Sequence, residues 1–195
     1  MRDVKPLKYK DLPGLSEKQL SEHHDVLYAG YVKKLNEIEE KLQTVDRSAP
    51  NATYSDIREL KLEQTFAANG VKLHEYYFEN MTPAPNPPAG KIKELIERDF
   101  GSYEKWLEDF KASGMASRGW VVLAYDLDDG KLYNYLCDVH NQGGVWNAMA
   151  LLVLDVYEHA YFIDYATKRK DYVEAFLKTI DWGEVNGRLD KFKIL

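Results

Sequence analysis

The sequence predicts an α+β protein with an N-terminal helical hairpin and a C-terminal domain in which helices flank a small three-stranded antiparallel sheet. Three observations predict this fold. Before residue 82, apolar residues recur every three or four positions, which is the period of amphipathic helices. Four prolines then occur within TPAPNPPAG, residues 82–90. Beyond that segment, short β-rich runs occur between helical ones.

The first half is predicted to form the hairpin. One helix covers residues 16–42, and the segment QTVDRSAPNATYSD that follows it is rich in turn formers. Two further helical pieces, 57–66 and 71–81, are predicted with an interruption at Asn69-Gly70. Two helical arms joined by a turn form a hairpin.

The proline-rich segment is the predicted domain boundary. Each proline lacks an amide donor and has a fixed φ, so regular structure cannot continue through the segment. We therefore predict a helical domain over residues 1–82, a linker over 83–90 and an α/β domain over 91–195.

The second half begins with two helices, IKELIERDF and YEKWLEDFKASGMA, the second capped by Ser102. WVVLAY and KLYNYLC form a predicted β-hairpin around the turn DLDDG, and ALLVLDV forms a third strand. Residues 157–180 have helical spacing, and a short tail is expected from Trp182.

The composition excludes several classes of partner and compartment. The 26 basic and 32 acidic residues give a net charge of −6, which argues against binding nucleic acid or an anionic membrane surface. No apolar run approaches the ~20 residues of a membrane span, and no secretory signal is recognisable. The single cysteine, Cys137, excludes an intramolecular disulfide and fits a reducing compartment. We expect a cytoplasmic protein.

The sharpest chemical signal is the segment Asp155-Val156-Tyr157-Glu158-His159. It follows an apolar run and carries a carboxylate and an imidazole four residues apart, a spacing at which both can face one point. A buried carboxylate is costly unless it is paired or binds a metal. The alternative is that Asp155 is a helix N-cap with His159 as its neighbour.

Further imidazoles come from the helical half. His74 lies among apolar and aromatic residues, so its ring is expected to point inward, and His23 shares a predicted helical stripe with Leu27 and Tyr31. Three imidazoles and one carboxylate suit manganese or iron. The zinc-protease pattern H-E-x-x-H fails because Phe78 replaces its second histidine. A second zinc-hydrolase pattern, H-x-x-E-H, matches the segment 155–159 imperfectly, because Asp155 stands where its first histidine would be. A zinc hydrolase therefore stays an alternative only if Glu158 is the catalytic base.

Three blocks of the sequence resemble the iron/manganese superoxide dismutases. They are LDVYEHAYFIDY, HHDVLYAGYVKKLN and KLHEYYFENMTP. Sequences of the family are also similar to three further segments, ERDFGSYEKWLEDF, SRGW and KDYVEAFLKTIDWGEV. The resemblance implies one Fe or Mn ion per subunit, bound by His23, His74, Asp155, His159 and a solvent molecule. It also implies conversion of superoxide to O₂ and hydrogen peroxide by a homodimer or homotetramer. A non-catalytic metal-binding or structural member of the same fold is the alternative.

The resemblance also implies roles for neighbouring residues. Tyr31, Trp120 and His140 are expected beside the metal-bound solvent and its proton path, where His140 replaces the usual glutamine; Gln142 is the alternative. Glu158 matches the glutamate that bonds a ligand imidazole of the other subunit.

Two departures from the family concern the approach of substrate. Leu27 and Phe162 stand where a His and a Tyr usually form the mouth of the substrate funnel. Replacing both partners of a polar pair by apolar groups can leave the stability nearly unchanged, whereas removing one partner leaves the other without a hydrogen bond. Lys33, Lys34 and Arg169 are candidates for steering the anionic substrate, with ordinary solvated side chains as the alternative.

Overall fold

The computed structural model describes residues 1–193, so the last two residues of the predicted second domain lie outside the described residues. The helices are α1 (Glu17–Ser21), a π-helical segment (Glu22–Tyr28), α2 (Ala29–Thr44), α3 (Asp56–Glu79), α4 (Gly90–Phe100), α5 (Tyr103–Ala116), a 3₁₀ turn (Glu158–Ala160), α6 (Phe162–Tyr165), α7 (Arg169–Leu177) and α8 (Trp182–Lys191). The strands are β1 (Trp120–Asp126), β2 (Lys131–Cys137) and β3 (Ala148–Asp155). The predicted α+β architecture is confirmed.

The first predicted helix is continuous but contains a π-helical segment. Hydrogen bonds from residue i to i+5 add a residue to the local turn, and such segments are frequent at functional sites. The extra residue rotates the faces of the helix, so Tyr28 is buried while Leu27 is 36% exposed. The expectation that His23, Leu27 and Tyr31 share one stripe is therefore wrong for Leu27.

The predicted interruption at Asn69-Gly70 is also wrong, because α3 is a single helix of 24 residues. Gly70 is buried inside it, and a Cβ atom there would lie 2.9 Å from Cδ1 of Tyr31 on α2. The glycine therefore allows close approach of the two arms of the hairpin instead of ending a helix.

Replacing Gly70 with alanine is expected to destabilise the protein by about 1–3 kcal/mol, because the new methyl group overpacks the contact with Tyr31. Gly187 in α8 is the matched control, since a Cβ there would meet no atom within 4 Å. Gly187→Ala is expected to stabilise by roughly 0.5–1 kcal/mol through helix propensity alone. Urea unfolding of both variants checks the difference; equal signs would contradict the packing role of Gly70.

The proline-rich segment separates the two halves of the fold. Residues 83–89 form no helix or strand, and α4 begins at Gly90. Contacts nevertheless join the halves: the side-chain oxygen of Asn80 accepts from the amide of Val153 at 2.9 Å, and its carbonyl accepts from the amide of Asp181 at 2.9 Å. The division into domains at 82 and 91 stays a prediction.

The three predicted strands form one antiparallel sheet in the order β2-β1-β3. The central strand β1 is buried along six of its seven residues, as its apolar sequence requires. Its first residue, Trp120, pairs with Cys137 on β2 and with Asp155 on β3. This register places Trp120 beside the carboxylate that ends β3.

The segment after β3 differs from the prediction. Instead of one helix over 157–180, it contains a 3₁₀ turn and two separate helices, and Ala166 adopts a left-handed φ of 48° between them. The predicted tail at Trp182 is wrong as well, because α8 begins there. Asp181 caps α8 by accepting from the amides of Gly183 and Glu184, both at 3.1 Å. The spacing of Asp181 and Glu184 is a capping signal that could have predicted this helix.

No helix within residues 1–193 is both long and apolar enough to cross a bilayer.

Candidate metal centre

Four side chains from four separate elements converge at one point. The π-helical segment carries His23, α3 carries His74, β3 ends in Asp155, and the 3₁₀ turn carries His159. One donor atom from each lies within 4.8 Å of the donors of the other three. The side chains of the first three are fully buried, and that of His159 is 27% exposed. The structure therefore brings together all four predicted ligands.

The carboxylate lies at the centre of the cluster. Oδ2 of Asp155 is 3.1 Å from Nε2 of His23, 3.2 Å from Nε2 of His159 and 3.7 Å from Nε2 of His74. Three imidazole nitrogens and one carboxylate oxygen thus face a common centre. The mixed nitrogen and oxygen donors suit borderline cations such as iron and manganese.

The unpaired polar atoms support a metal at this point. Both ring nitrogens of His23 and Nε2 of His74 are buried, and none of them makes a hydrogen bond within the described residues, although Nε2 of His23 lies 3.1 Å from Oδ2 of Asp155. A buried polar nitrogen without a partner costs about 1–3 kcal/mol, so such atoms call for an explanation such as an ion. The four residues fit a metal ion on this ground.

Burial sets the protonation states of the cluster. It lowers the pKa of His74 to about 3 and also lowers the pKa of His23. Burial alone would raise the pKa of Asp155, but His159 and His23 outweigh it and keep that pKa well below its usual range. His23 and His74 are therefore neutral and Asp155 is ionised, which are the forms that bind metals, whereas the Asp155 carboxylate raises the pKa of His159 against the effect of burial.

A backbone hydrogen bond orients the His74 ring. Nδ1 lies 2.6 Å from the carbonyl oxygen of Gly70, one helical turn earlier. A carbonyl only accepts, so Nδ1 carries the hydrogen and Nε2 presents its lone pair to the cluster. This arrangement is the usual outer support of a metal-binding histidine.

The backbone around Asp155 is held by residues that the sequence analysis missed. The hydroxyl of Tyr172 donates to the Asp155 carbonyl at 2.6 Å and lies 3.2 Å from the hydroxyl of Tyr77. The amide of Tyr157 donates to Oδ1 at 2.9 Å, which leaves Oδ2 for the histidines. The alternative that Asp155 is a helix N-cap is wrong, because Asp155 ends β3 and the N-cap of the following 3₁₀ turn is Tyr157.

His159 is held by Gln19, which the sequence analysis also missed. The buried amide of Gln19 donates to the carbonyl of His159 at 2.7 Å and accepts from the amide of Ile163 at 3.1 Å. Gln19 precedes His23 by four residues, so helical spacing could have placed it near the cluster.

The residues predicted to surround the site form a chain of hydrogen bonds. Nε1 of Trp120 lies 3.0 Å from Nδ1 of His140, and Nε2 of His140 lies 2.7 Å from the hydroxyl of Tyr31. The Tyr31 ring stacks on His74 with centroids 5.3 Å apart. Gln142 is exposed, so the structure places His140 and not Gln142 in this chain.

The other predicted residues lie outside the cluster. Glu158, Lys33 and Lys34 are exposed, and Lys34 pairs with Glu37. The guanidinium of Arg169 donates to the carbonyl of Ser117 at 2.8 Å and to the hydroxyl of Tyr161 at 3.2 Å. Leu27 and Phe162, which replace the usual polar pair of the substrate funnel, are surface residues of this chain and are 36% and 47% exposed.

Comparison with known proteins matches both halves of the chain to one family. Residues 4–82 match the α-hairpin domain of iron/manganese superoxide dismutases, and residues 88–188 match their C-terminal domain. The chain is 43% identical to a superoxide dismutase [Fe] of Aquifex pyrophilus over 95% of its length and 89% of the relative. It is 42% identical to a superoxide dismutase [Fe] of Aquifex aeolicus with the same coverage.

A manganese relative matches at lower identity. The chain is 35% identical to superoxide dismutase [Mn] 1 of Halobacterium salinarum over 92% of its length and 88% of the relative. Both family domains, in the expected order, coincide with the hairpin and with the sheet domain that together build the cluster. The chain belongs to the iron/manganese superoxide dismutase family.

Proposed function

We propose that this protein is a superoxide dismutase that binds one Fe or Mn ion per subunit through His23, His74, Asp155 and His159. The observation that carries the proposal is the convergence of three imidazole Nε2 atoms on one buried carboxylate oxygen. Relatives named for iron and for manganese both match nearly the whole chain. When bound, the ion would alternate between two oxidation states and exchange one electron with each superoxide.

The chain itself supplies a protected site and a proton donor. Burial raises the pKa of Tyr31, so its hydroxyl keeps its proton at neutral pH and can donate a hydrogen bond towards the cluster. Burial lowers the pKa of His140 to about 4, so that ring is neutral at the same pH. Aromatic rings pack around the imidazoles: the ring centroids of Phe78 and Tyr77 lie 5.0 Å and 5.2 Å from that of His23. These rings keep bulk water from the ligands.

Substrate steering is assigned to Lys33, Lys34 and Arg169. The chain is acidic overall, so attraction of an anion depends on local positive charge. Lys34 is partly neutralised by Glu37, and Arg169 uses its donors on Ser117 and Tyr161.

The proposal includes a homodimer or homotetramer in which the exposed apolar residues beside the cluster are covered by a second copy. Val26, Leu27, Phe162 and Ile163 are 58%, 36%, 47% and 47% exposed. Leu27 and Phe162 closely follow His23 and His159, whose ring centroids lie 4.8 Å apart, so we place these apolar side chains on one face beside the cluster. Large apolar groups gathered in this way are typical of protein interfaces. We assign to Glu158, which is exposed in the 3₁₀ turn, a contact with the second copy.

Phe162→Glu is expected to weaken this association by roughly 30-fold or more, the effect of losing an interface residue worth about 2 kcal/mol. The charge would be buried without a partner when the two copies meet. Leu62→Glu is the matched control, because Leu62 is similarly exposed, at 45%, on α3. Sedimentation velocity over a concentration series checks both variants. Unchanged association of Phe162→Glu would contradict this interface.

The catalytic proposal is tested by metal analysis together with superoxide decay after pulse radiolysis. We expect close to one Fe or Mn ion per chain and decay far faster than in buffer containing the free metal. Stoichiometric Fe or Mn without acceleration would support the non-catalytic alternative. Bound zinc without redox activity would support a hydrolase.

A cytoplasmic location is part of the proposal. The one cysteine, Cys137, is free and buried, and burial raises the pKa of its thiol to about 11. A protein without disulfides is suited to a reducing compartment.

A further inference from the structure

We infer that Trp120 fixes His140 in the tautomer with its hydrogen on Nε2, so that the chain Trp120–His140–Tyr31 runs in one direction and leaves the Tyr31 hydrogen free to point elsewhere. Trp120 is thus a positioning residue for the proton donor of the site. The catalytic consequence rests on the proposed function, but the tautomer itself follows from the contacts.

The direction of the chain begins at the indole. An indole nitrogen is a donor only, with no lone pair available for hydrogen bonding. Nε1 of Trp120 lies 3.0 Å from Nδ1 of His140, and both residues are buried. Nδ1 of His140 must therefore accept, which requires that it carries no hydrogen.

The other ring nitrogen then has to carry the hydrogen. A neutral imidazole has one N–H, and with Nδ1 bare that N–H is at Nε2. Protonating the ring would place two N–H groups face to face across the 3.0 Å contact with Trp120. The contact therefore disfavours both the other tautomer and the imidazolium.

The hydroxyl of Tyr31 receives this hydrogen. Nε2 of His140 lies 2.7 Å from the Tyr31 oxygen, so His140 donates and Tyr31 accepts. The hydroxyl hydrogen of Tyr31 cannot also point at Nε2, and it is left for a different partner. The Tyr31 ring stacks on His74 with centroids 5.3 Å apart, so a molecule held by the cluster is the candidate for that partner.

His140 itself has no donor to spare. Both of its nitrogens are used, one by Trp120 and one by Tyr31. A glutamine in this position could accept from the indole, donate to Tyr31 and still keep a second N–H for another group. In this chain, any hydrogen bond from these three residues to a molecule in the cluster must therefore come from Tyr31.

The test is nitrogen NMR of the full chain with ¹⁵N-labelled histidine and tryptophan, loaded with zinc as a diamagnetic probe. We expect a pyridine-like Nδ1 and a pyrrole-like Nε2 for His140. We also expect a scalar coupling across the hydrogen bond from Trp120 Nε1 to His140 Nδ1. If the wild-type protein carries a hydrogen on Nδ1 of His140, or on both ring nitrogens, that result by itself overturns the inference.

Variants then test whether Trp120 is the cause. In Trp120→Phe, the ratio of the Nε2–H to the Nδ1–H tautomer of His140 should fall roughly 10-fold or more, which corresponds to about 1.4 kcal/mol of lost preference. Trp106→Phe is the control, since it removes a buried indole that donates to Asn134 at 3.1 Å and leaves the Trp120 contact intact. An unchanged ratio in Trp120→Phe would show that another group sets the tautomer. None of these readouts requires dismutase activity, so failure of the proposed function would be seen separately.

Discussion

Replacing Asp155 with asparagine is expected to weaken metal binding at least ~100-fold and to abolish superoxide dismutation. Loss of a residue that only supports a ligand typically costs 10–100-fold in affinity or activity, and Asp155 is the central carboxylate itself. The substitution keeps the shape of the side chain but removes a negative charge whose Oδ2 atom lies within 3.7 Å of Nε2 in all three imidazoles. Elemental analysis and superoxide decay of the purified variant measure the two effects.

Asp99→Asn is the matched control for this experiment. The Asp99 side chain is only 6% exposed and accepts from the amide of Leu132 at 2.8 Å, but it is not part of the cluster. We expect it to keep its metal and its rate. Full metal content and activity in Asp155→Asn would refute the assignment of the ligands.

Removal of the metal is expected to lower the stability of the wild-type protein by about 4 kcal/mol at a free metal concentration 1,000-fold above Kd. For a chain of this size, that difference corresponds to a fall in Tm of roughly 8–16 °C. The physical reason lies in both ring nitrogens of His23 and Nε2 of His74, which are buried and make no hydrogen bond within the described residues. Calorimetry of the loaded and chelator-treated protein measures the shift.

The Asp155→Asn variant separates this effect from general damage by the chelator. Without the central charge, added metal should produce little change in its Tm, whereas Asp99→Asn should show the full shift. A metal-free wild-type protein as stable as the loaded one would mean that the cluster does not hold an ion.

The sequence predicted helices and strands well where interactions within one element decide the structure. The hairpin strands around DLDDG and the capped helix α5 were predicted within a residue or two, because turn chemistry and capping are local interactions. Prediction failed where distant contacts decide. Gly70 signals a helix end locally, but Tyr31 from the other arm requires a small residue at that point inside a continuous helix.

The candidate site shows the same division. Its four central residues were found because their spacing within three sequence blocks resembles a family pattern, and the structure brings them together. Gln19 and Tyr172 were missed, because they act on His159 and Asp155 through backbone carbonyls. Such contacts impose little pattern on the sequence, since any side chain with a donor at the right place can make them.

The sequence by itself determined which chemistry is available. It supplies imidazoles and carboxylates as metal ligands but no pair of cysteines, and it places the apolar Leu27 and Phe162 where the family usually has a polar pair. Only the tertiary structure decided how these groups are used. It buried Asp155 among the histidines, rotated Leu27 outward through a π-helical segment, and set the direction of the hydrogen bonds that end at Tyr31. The reason is physical: residue type sets what an atom can donate, accept or bind, whereas burial and hydrogen-bond direction depend on neighbours far away in the chain.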